Sequence, residues 1–394
     1  MAQDADIAAW MAAGVITPAQ AERMQADLSA RRKDRASDEF VIVLSTIGAI
    51  LLGIGAILFV AANWQGMSNL TKTLVLSGAT FGVSALGYLL AYEAKTLPKV
   101  GAALLFLGTL LFGATLFLLG QMYHVEANSH LLVLTWLVGV LPLVYILQSR
   151  SIAGLCTVLL FIWFGLFVFR GMTPNGRDSL AFPVLYLLAG LWVFEAGGLH
   201  YFSEQLRGVA RIYRLGAIDV ALFSLFVLTF RFVSGKDGWW GTELSQPYSK
   251  QVVAGVFLIG ATAAALAFVN GLKNPSSSDT NDLEVRTSLG LVLLALTYFG
   301  VPAHSTNVYP IVFNLALMGC ILALIMVGYR REDLRLVNIG LSAFAMLVLV
   351  RYCDFFWDLL PRSLFFMVGG AILVLGGTAL ERKRRQIKAQ FVAK

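Results

Sequence analysis

The chain has 394 residues, of which 58% are hydrophobic and 13% charged, with a net charge of +7. Soluble domains carry roughly 45–50% apolar and about 25% charged residues, so this balance excludes an ordinary soluble enzyme and points to a chain that folds largely in lipid. The basic excess forms no patch interleaved with aromatics, which argues against nucleic acid as a partner.

Residues 1–39 read as a short cytoplasmic helical hairpin and basic linker. A first helix over residues 5–13 stops at Gly14. Thr17 suits the N-cap of a second, Pro18 its first position, and Gln20 can close a capping box. Trp10, Val15, Ile16 and Met24 can join the two helices, and the second ends in Arg31-Arg32-Lys33-Asp34-Arg35. So small a unit holds no stable core alone. It is expected to pack on the membrane domain, on a protein partner or on a second copy of the chain. Residues 1–35 lack the apolar centre of a signal peptide, so the first span is expected to direct insertion.

Twelve apolar stretches follow, at 40–62, 70–92, 98–120, 131–147, 152–169, 180–199, 215–232, 252–269, 287–301, 308–327, 336–350 and 364–380. In hydrocarbon every backbone polar group must be satisfied within the chain, so such stretches become helices of about 20 residues. The fold class is therefore all-α and polytopic, with about twelve transmembrane helices. The ninth and eleventh stretches are short, and their helices are expected to borrow residues from the flanking loops or to lie deep in the bundle. With both termini in the cytoplasm, 22 of the 30 Lys and Arg fall on the cytoplasmic side, the bias that orients inner-membrane proteins. The organisation is then spans one to six at 40–199, a basic cytoplasmic link at 200–214, spans seven to twelve at 215–380, and a basic tail at 381–394. The halves share no convincing self-similarity, and residues 93–99 lack the loop signature of the major facilitator fold.

The first two spans are rich in small residues: Gly48, Gly53 and Gly55, then the GxxxG of Gly78 and Gly82. These predict close helix packing, within the chain or between copies. The first span ends in Asn63, Trp64 and Gln65, and the third in Gln121, Tyr123, His124, Glu126 and Asn128. Asn63, Trp64, Gln121, Tyr123, His124 and Glu126 thus gather at one membrane face. They suit either an interfacial cap or a ligand or ion entry site with titratable groups.

The run from Ile50 through Trp64, the segment Gly120-Gln121-Met122-Tyr123-His124, and Leu134-Thr135-Trp136 followed by Leu141-Pro142-Leu143 and Leu147 resemble the uncharacterised bacterial membrane family known as domain of unknown function 2157. The start of the chain, Trp10, then Gly14-Val15-Ile16-Thr17, then Gln20-Ala21, is also similar to the way those proteins begin. The resemblance covers roughly residues 5–150. It implies a polytopic bacterial inner-membrane protein and carries no activity with it.

Further along, Glu195 and Asp219 flank the basic link and are expected to pair with Arg211 or Arg214 rather than to relay protons. Asn314 reads as a buried amide bonding a neighbouring helix. Arg351, Asp354, Asp358 and Arg362 share one helical face and can neutralise one another; the two carboxylates also suit a cation. No HExxH, GxSxG, Walker-type GxxxxGK or HxE…CxxC occurs, so no catalytic residue is assigned. Cys156, Cys320 and Cys353 contain no CxxC, which argues against a disulfide framework or a zinc site, and no cofactor or metal is expected. Three function classes fit: a transporter or flippase for a small or lipidic substrate, a non-catalytic membrane scaffold or sensor signalling through the hairpin, and a membrane-embedded enzyme. Membrane lipids are the expected surroundings, and residues 1–39 the expected contact for a homo-oligomer or protein partner.

Overall fold

A computed structural model of the chain describes residue 11 and residues 17–23, 66–123, 130–169, 178, 181–230, 233, 248–273, 279–300, 308–356, 367–371, 373–379 and 381–382. No strand occurs among the described residues. The chain divides into two units, Met1–Leu76 and Ser77–Lys394.

In the first unit the capping box expected at Thr17 is formed. The Thr17 N–H donates to Gln20 Oε1 at 2.8 Å, and the Gln20 N–H donates to Thr17 Oγ1 at 3.3 Å. Two donors that the helix leaves open are thereby satisfied. The expected first helix of the hairpin and the first membrane span lie outside the described residues.

Ten helices follow: α1 Asn69–Tyr88, widened at its end by a π turn over Leu89–Glu93, α2 Pro98–Met122, α3 His130–Leu147, α4 Arg150–Phe167, α5 Phe182–Leu199, α6 Arg207–Leu228, α7 Lys250–Lys273, α8 Asp279–Gly300, α9 Val308–Arg330 and α10 Leu334–Phe356. They overlap the second to eleventh expected spans in order, and residues 367–371 and 373–379 lie in the twelfth and are helical. Local signals set their starts. Pro98 and Pro183 sit in first turns, where no N–H is missed, and Ser149 Oγ caps α4 by accepting from the Ile152 N–H at 3.4 Å.

Among the described residues nine helices are long and apolar enough to cross a membrane, namely all of α1–α10 except α6. Helix α6 carries Arg207, Arg211, Arg214 and Asp219, yet it packs against α4, α5, α9 and α10. A charged helix is thus a hub, because Arg211 and Arg214 find acidic partners on the elements packed around it. The short ninth and eleventh stretches become full-length helices, α8 and α10, by drawing in their polar flanks. That places Glu284 inside α8.

The largest buried cluster joins α5, α6, α7, α8 and α9 around Leu185, Leu188, Leu225, Phe313 and Leu317. A second, around Val140, Val144, Ile152 and Leu159, joins α3, α4 and the start of α6. Among the described residues a Cβ at Gly78 or Gly82 would meet nothing within 4 Å, and the first span, the neighbour in sequence, lies outside them. Close approach occurs further along α1, at Gly87, where a Cβ would lie 2.8 Å from the Leu105 backbone nitrogen of α2.

Candidate functional site

Arg207, Arg211 and Arg214 recur along the first two turns of α6 at spacings that keep them near one side of the helix. Arg211 Nη2 donates to Asp333 Oδ2 at 2.5 Å, in the turn between α9 and α10. Arg214 Nη2 donates to Glu284 Oε2 of α8 at 2.6 Å, and Arg331 Nη1 sits 2.7 Å from the other oxygen, Glu284 Oε1. The Arg214 guanidinium also lies 3.9 Å over the Phe194 ring of α5. Gly197 makes room for it, since a Cβ there would come within 3.1 Å of Arg214 Cγ. The Arg214 and Glu284 side chains are 16% exposed. A guanidinium stays ionised at any physiological pH, so Arg214 brings a full charge into this partly buried site. One carboxylate shared between two arginines clamps α6, α8 and the α9–α10 turn together.

The expected partners differ from the observed ones. Neither Glu195 nor Asp219 takes Arg211 or Arg214 as a salt-bridge partner; Asp333 and Glu284 do. Glu195, only 3% exposed, instead binds Asn270 of α7, itself 8% exposed. The Asn270 amide donates to Glu195 Oε2 at 2.7 Å and to the Glu195 main-chain oxygen at 2.8 Å. Gly198 permits this approach, because a Cβ there would fall 2.6 Å from Asn270 Nδ2. Glu195 Oε1 and Asn270 Oδ1 have no hydrogen-bond partner among the described residues.

Beneath the clamp lies a cavity of about 110 Å³ between α5, α6, α8, α9 and α10. Leu191, Ala221, Leu222, Leu291, Cys320 and Leu324 are among its walls, and Glu284, Thr287 and Ser288 supply its polar groups. This volume is of the order of the ~150 Å³ engineered cavity that holds benzene, so it suits a ring or a few methylenes rather than a whole phospholipid. On the other side of Leu222, a groove of about 410 Å³ runs between α6, α9 and α10 and includes Asp219.

At the far end of α6, Thr229 is held in place by two other helices. Asn314 Nδ2 of α9 donates to the Thr229 main-chain oxygen at 3.2 Å and to that of Pro310 at 2.7 Å. Arg351 of α10 donates to the same Thr229 oxygen at 3.2 Å and to Thr229 Oγ1, and its Nη1 donates to Asp354 Oδ2 at 2.9 Å. A cation at a helix C-terminus satisfies open carbonyls and the helix dipole together. Asp358 and Arg362 lie outside the described residues.

Of the polar face expected at the ends of the first and third spans, Gln121 and Tyr123 are described. Both are exposed at the end of α2, Tyr123 by 65%, and the Tyr123 N–H donates to the Leu119 oxygen at 3.0 Å. Asn63, Trp64, His124 and Glu126 lie outside the described residues. Among the described residues no group of three or more His, Cys, Asp or Glu is placed to hold a metal ion.

Sequence reasoning missed Asn270, Glu284, Arg331 and Asp333. One signal was present. A fifteen-residue apolar stretch at 287–301 is too short to span, so the helix had to start earlier and take Glu284 with it.

Residues 8–153 match the model of a family described as "Predicted membrane protein (DUF2157)", close to the extent of 5–150 read from the motifs. No curated protein and no solved structure matches the chain. Ten of its helices are thus seen in order, nine of them apolar enough to span a bilayer, and the chain is a multi-pass all-α membrane protein whose residues 8–153 are similar to that uncharacterised family.

Proposed function

We propose that this protein moves a small or lipidic amphiphile across the inner membrane, as a transporter or flippase, with both termini in the cytoplasm and twelve spans. One observation carries the reading: an apolar cavity lies among five helices and is bounded at one end by the Arg214–Glu284–Arg331 clamp. Each Glu284 oxygen already has a guanidinium, so the clamp is saturated and serves as a closed gate rather than as a headgroup site. Opening it would separate α6, α8 and the α9–α10 turn at the cytoplasmic end. The exposed polar end of α2, with Gln121 and Tyr123, would lie at the entrance on the opposite face.

The test is transbilayer movement in phosphatidylcholine vesicles, read by dithionite quenching of two fluorescent probes, labelled dodecylamine and labelled phosphatidylcholine. Protein-containing vesicles are expected to move one of them faster than empty vesicles, and Ala323→Phe, which fills the cavity, to remove the effect while the protein stays folded. Equal rates with and without protein for both probes, or an unaltered rate in Ala323→Phe, would overturn the proposal.

A further inference from the structure

The groove beside α6 presents a carboxylate that nothing in the clamp or the cavity uses. Asp219 lies five residues beyond Arg214, about 7–8 Å further along the helix. It is exposed, and among the described residues no hydrogen bond or ion pair engages it. An ionised carboxylate at membrane depth is expensive unless it faces a counter-charge or a polar partner. The groove offers it no internal cation: among the described residues that line it, Asp219 is the one charged group.

Its other polar members are Asn338 and Ser342, which stand one turn apart on the same face of α10. Phe223, Phe226 and Met346 frame them with apolar and aromatic surface. Negative charge, two neutral oxygen acceptors and aromatic faces together form a receptor for a positive, hydrogen-donating head on an apolar body. An alkylammonium group brings three N–H donors, and Asp219, Asn338 and Ser342 supply three acceptors. Aromatic faces add cation–π attraction for the same head. A volume of about 410 Å³ is within the roughly 300–1,000 Å³ of small-ligand sites.

We propose that this groove binds a lipophilic primary amine in its ammonium form, with Asp219 as the counter-ion and Asn338 and Ser342 as hydrogen-bond acceptors. Leu222 lines both this groove and the apolar cavity. The ammonium head is therefore recognised at α6 and α10 while the apolar tail reaches past Leu222 into the cavity. This deepens the amphiphile reading above and rests on it for the direction of the tail. A phosphate-bearing lipid head is disfavoured here, since Asp219 repels it and no basic side chain lines the groove.

The experiment uses the full chain in phosphatidylcholine nanodiscs and measures binding of tritiated dodecylamine, with empty nanodiscs subtracted. Wild type is expected to bind saturably. Asp219→Asn should weaken binding roughly tenfold or more, the loss expected for a charge-assisted hydrogen bond. Dodecyltrimethylammonium, which has no N–H, should compete less well, and dodecanoate should not compete. Ser342→Ala should weaken the primary amine while leaving the trimethylated one unchanged, which separates recognition from misfolding. Unchanged affinity in Asp219→Asn, or competition by dodecanoate equal to that by dodecylamine, would overturn the inference. So would a wild-type dimer that Asp219→Asn converts to monomer, because it would place a second copy in the groove. Asp219-dependent binding without vesicle flux would sink the transport reading and keep this one. Flux with Asp219-independent binding would do the reverse.

Discussion

Residues 77–167 and 182–356 are both bundles of apolar helices with buried apolar cores, yet the polar links between their helices differ in kind. In the first, glycines face aromatic rings. The Trp136 indole occupies the space a Cβ of Gly113 would need, and a Cβ at Gly139 would lie 2.6 Å from the Phe112 ring. The polar links there are neutral: Trp136 Nε1 donates to the Thr109 oxygen at 2.9 Å, and the Thr80 and Thr115 hydroxyls meet at 3.0 Å. In the second, full charges bridge helices, at Arg211–Asp333 and at Arg214–Glu284–Arg331, and cavities lie beside them. Shape complementarity has one good solution and resists deformation. Ion pairs can break and re-form with alternative partners or water, at a cost a ligand can offset. On the function proposed above, the first region would be the scaffold and the second the part that moves.

The largest way to break that contrast is to disturb the shape-held region. Gly113→Leu drives a branched side chain into the Trp136 ring. Overpacking costs about 1–3 kcal/mol, and the rigid indole puts this site at the upper end. Thermal unfolding in detergent should show a large downward shift or loss of monodisperse protein; an unshifted midpoint would mean the two helices slide apart freely. The next effect is Glu284→Gln, which leaves two arginines without their shared anion. Its cost should be about 2 kcal/mol, between the values for buried and exposed pairs, because the Glu284 side chain is neither fully buried nor open. Read by SDS titration, the loss should come with faster probe flux in vesicles, whereas Gly113→Leu destabilises without a gain in flux.

Much of this arrangement was legible from the sequence, and the rest was hidden for a definite reason. Hydropathy located the helices because lipid forces apolar stretches into helices. The Thr17–Gln20 box and the Arg351–Asp354 pair could be read because their members are three residues apart. The clamp could not, since Arg214 and Glu284 are 70 residues apart, and Arg211 and Asp333 are 122 apart. Charges at the ends of α6 and α8 read as loop residues until packing brings them together. Glu195 stands out in the sequence as a charge within an apolar stretch, but its partner Asn270 lies 75 residues away and carries no charge to betray it. The GxxxG motif shows a limit of another kind: small residues permit close packing, but which helix arrives at that face is not written in the motif.

The smallest expected effect sharpens the last point. Gly78→Ala adds a methyl group where nothing lies within 4 Å among the described residues. Relative to glycine, alanine favours a helix interior by roughly 0.5–1 kcal/mol, so stability should hold or rise slightly. A clear fall in the unfolding midpoint, or a change from oligomer to monomer on size-exclusion chromatography with light scattering, would show that this face is a contact between copies.

On the proposed function the second region, and not the first, would receive an amphiphile from the bilayer. Photolabelling tests it most directly. The full chain in phosphatidylcholine vesicles would be irradiated with a diazirine-tailed dodecylamine, with and without excess dodecylamine, and the labelled peptides mapped by mass spectrometry. Competable labelling concentrated around Leu222, Leu291, Cys320 and Leu324 is the predicted result. Labelling spread over lipid-facing residues of α1 to α4, and unaffected by competitor, would contradict it.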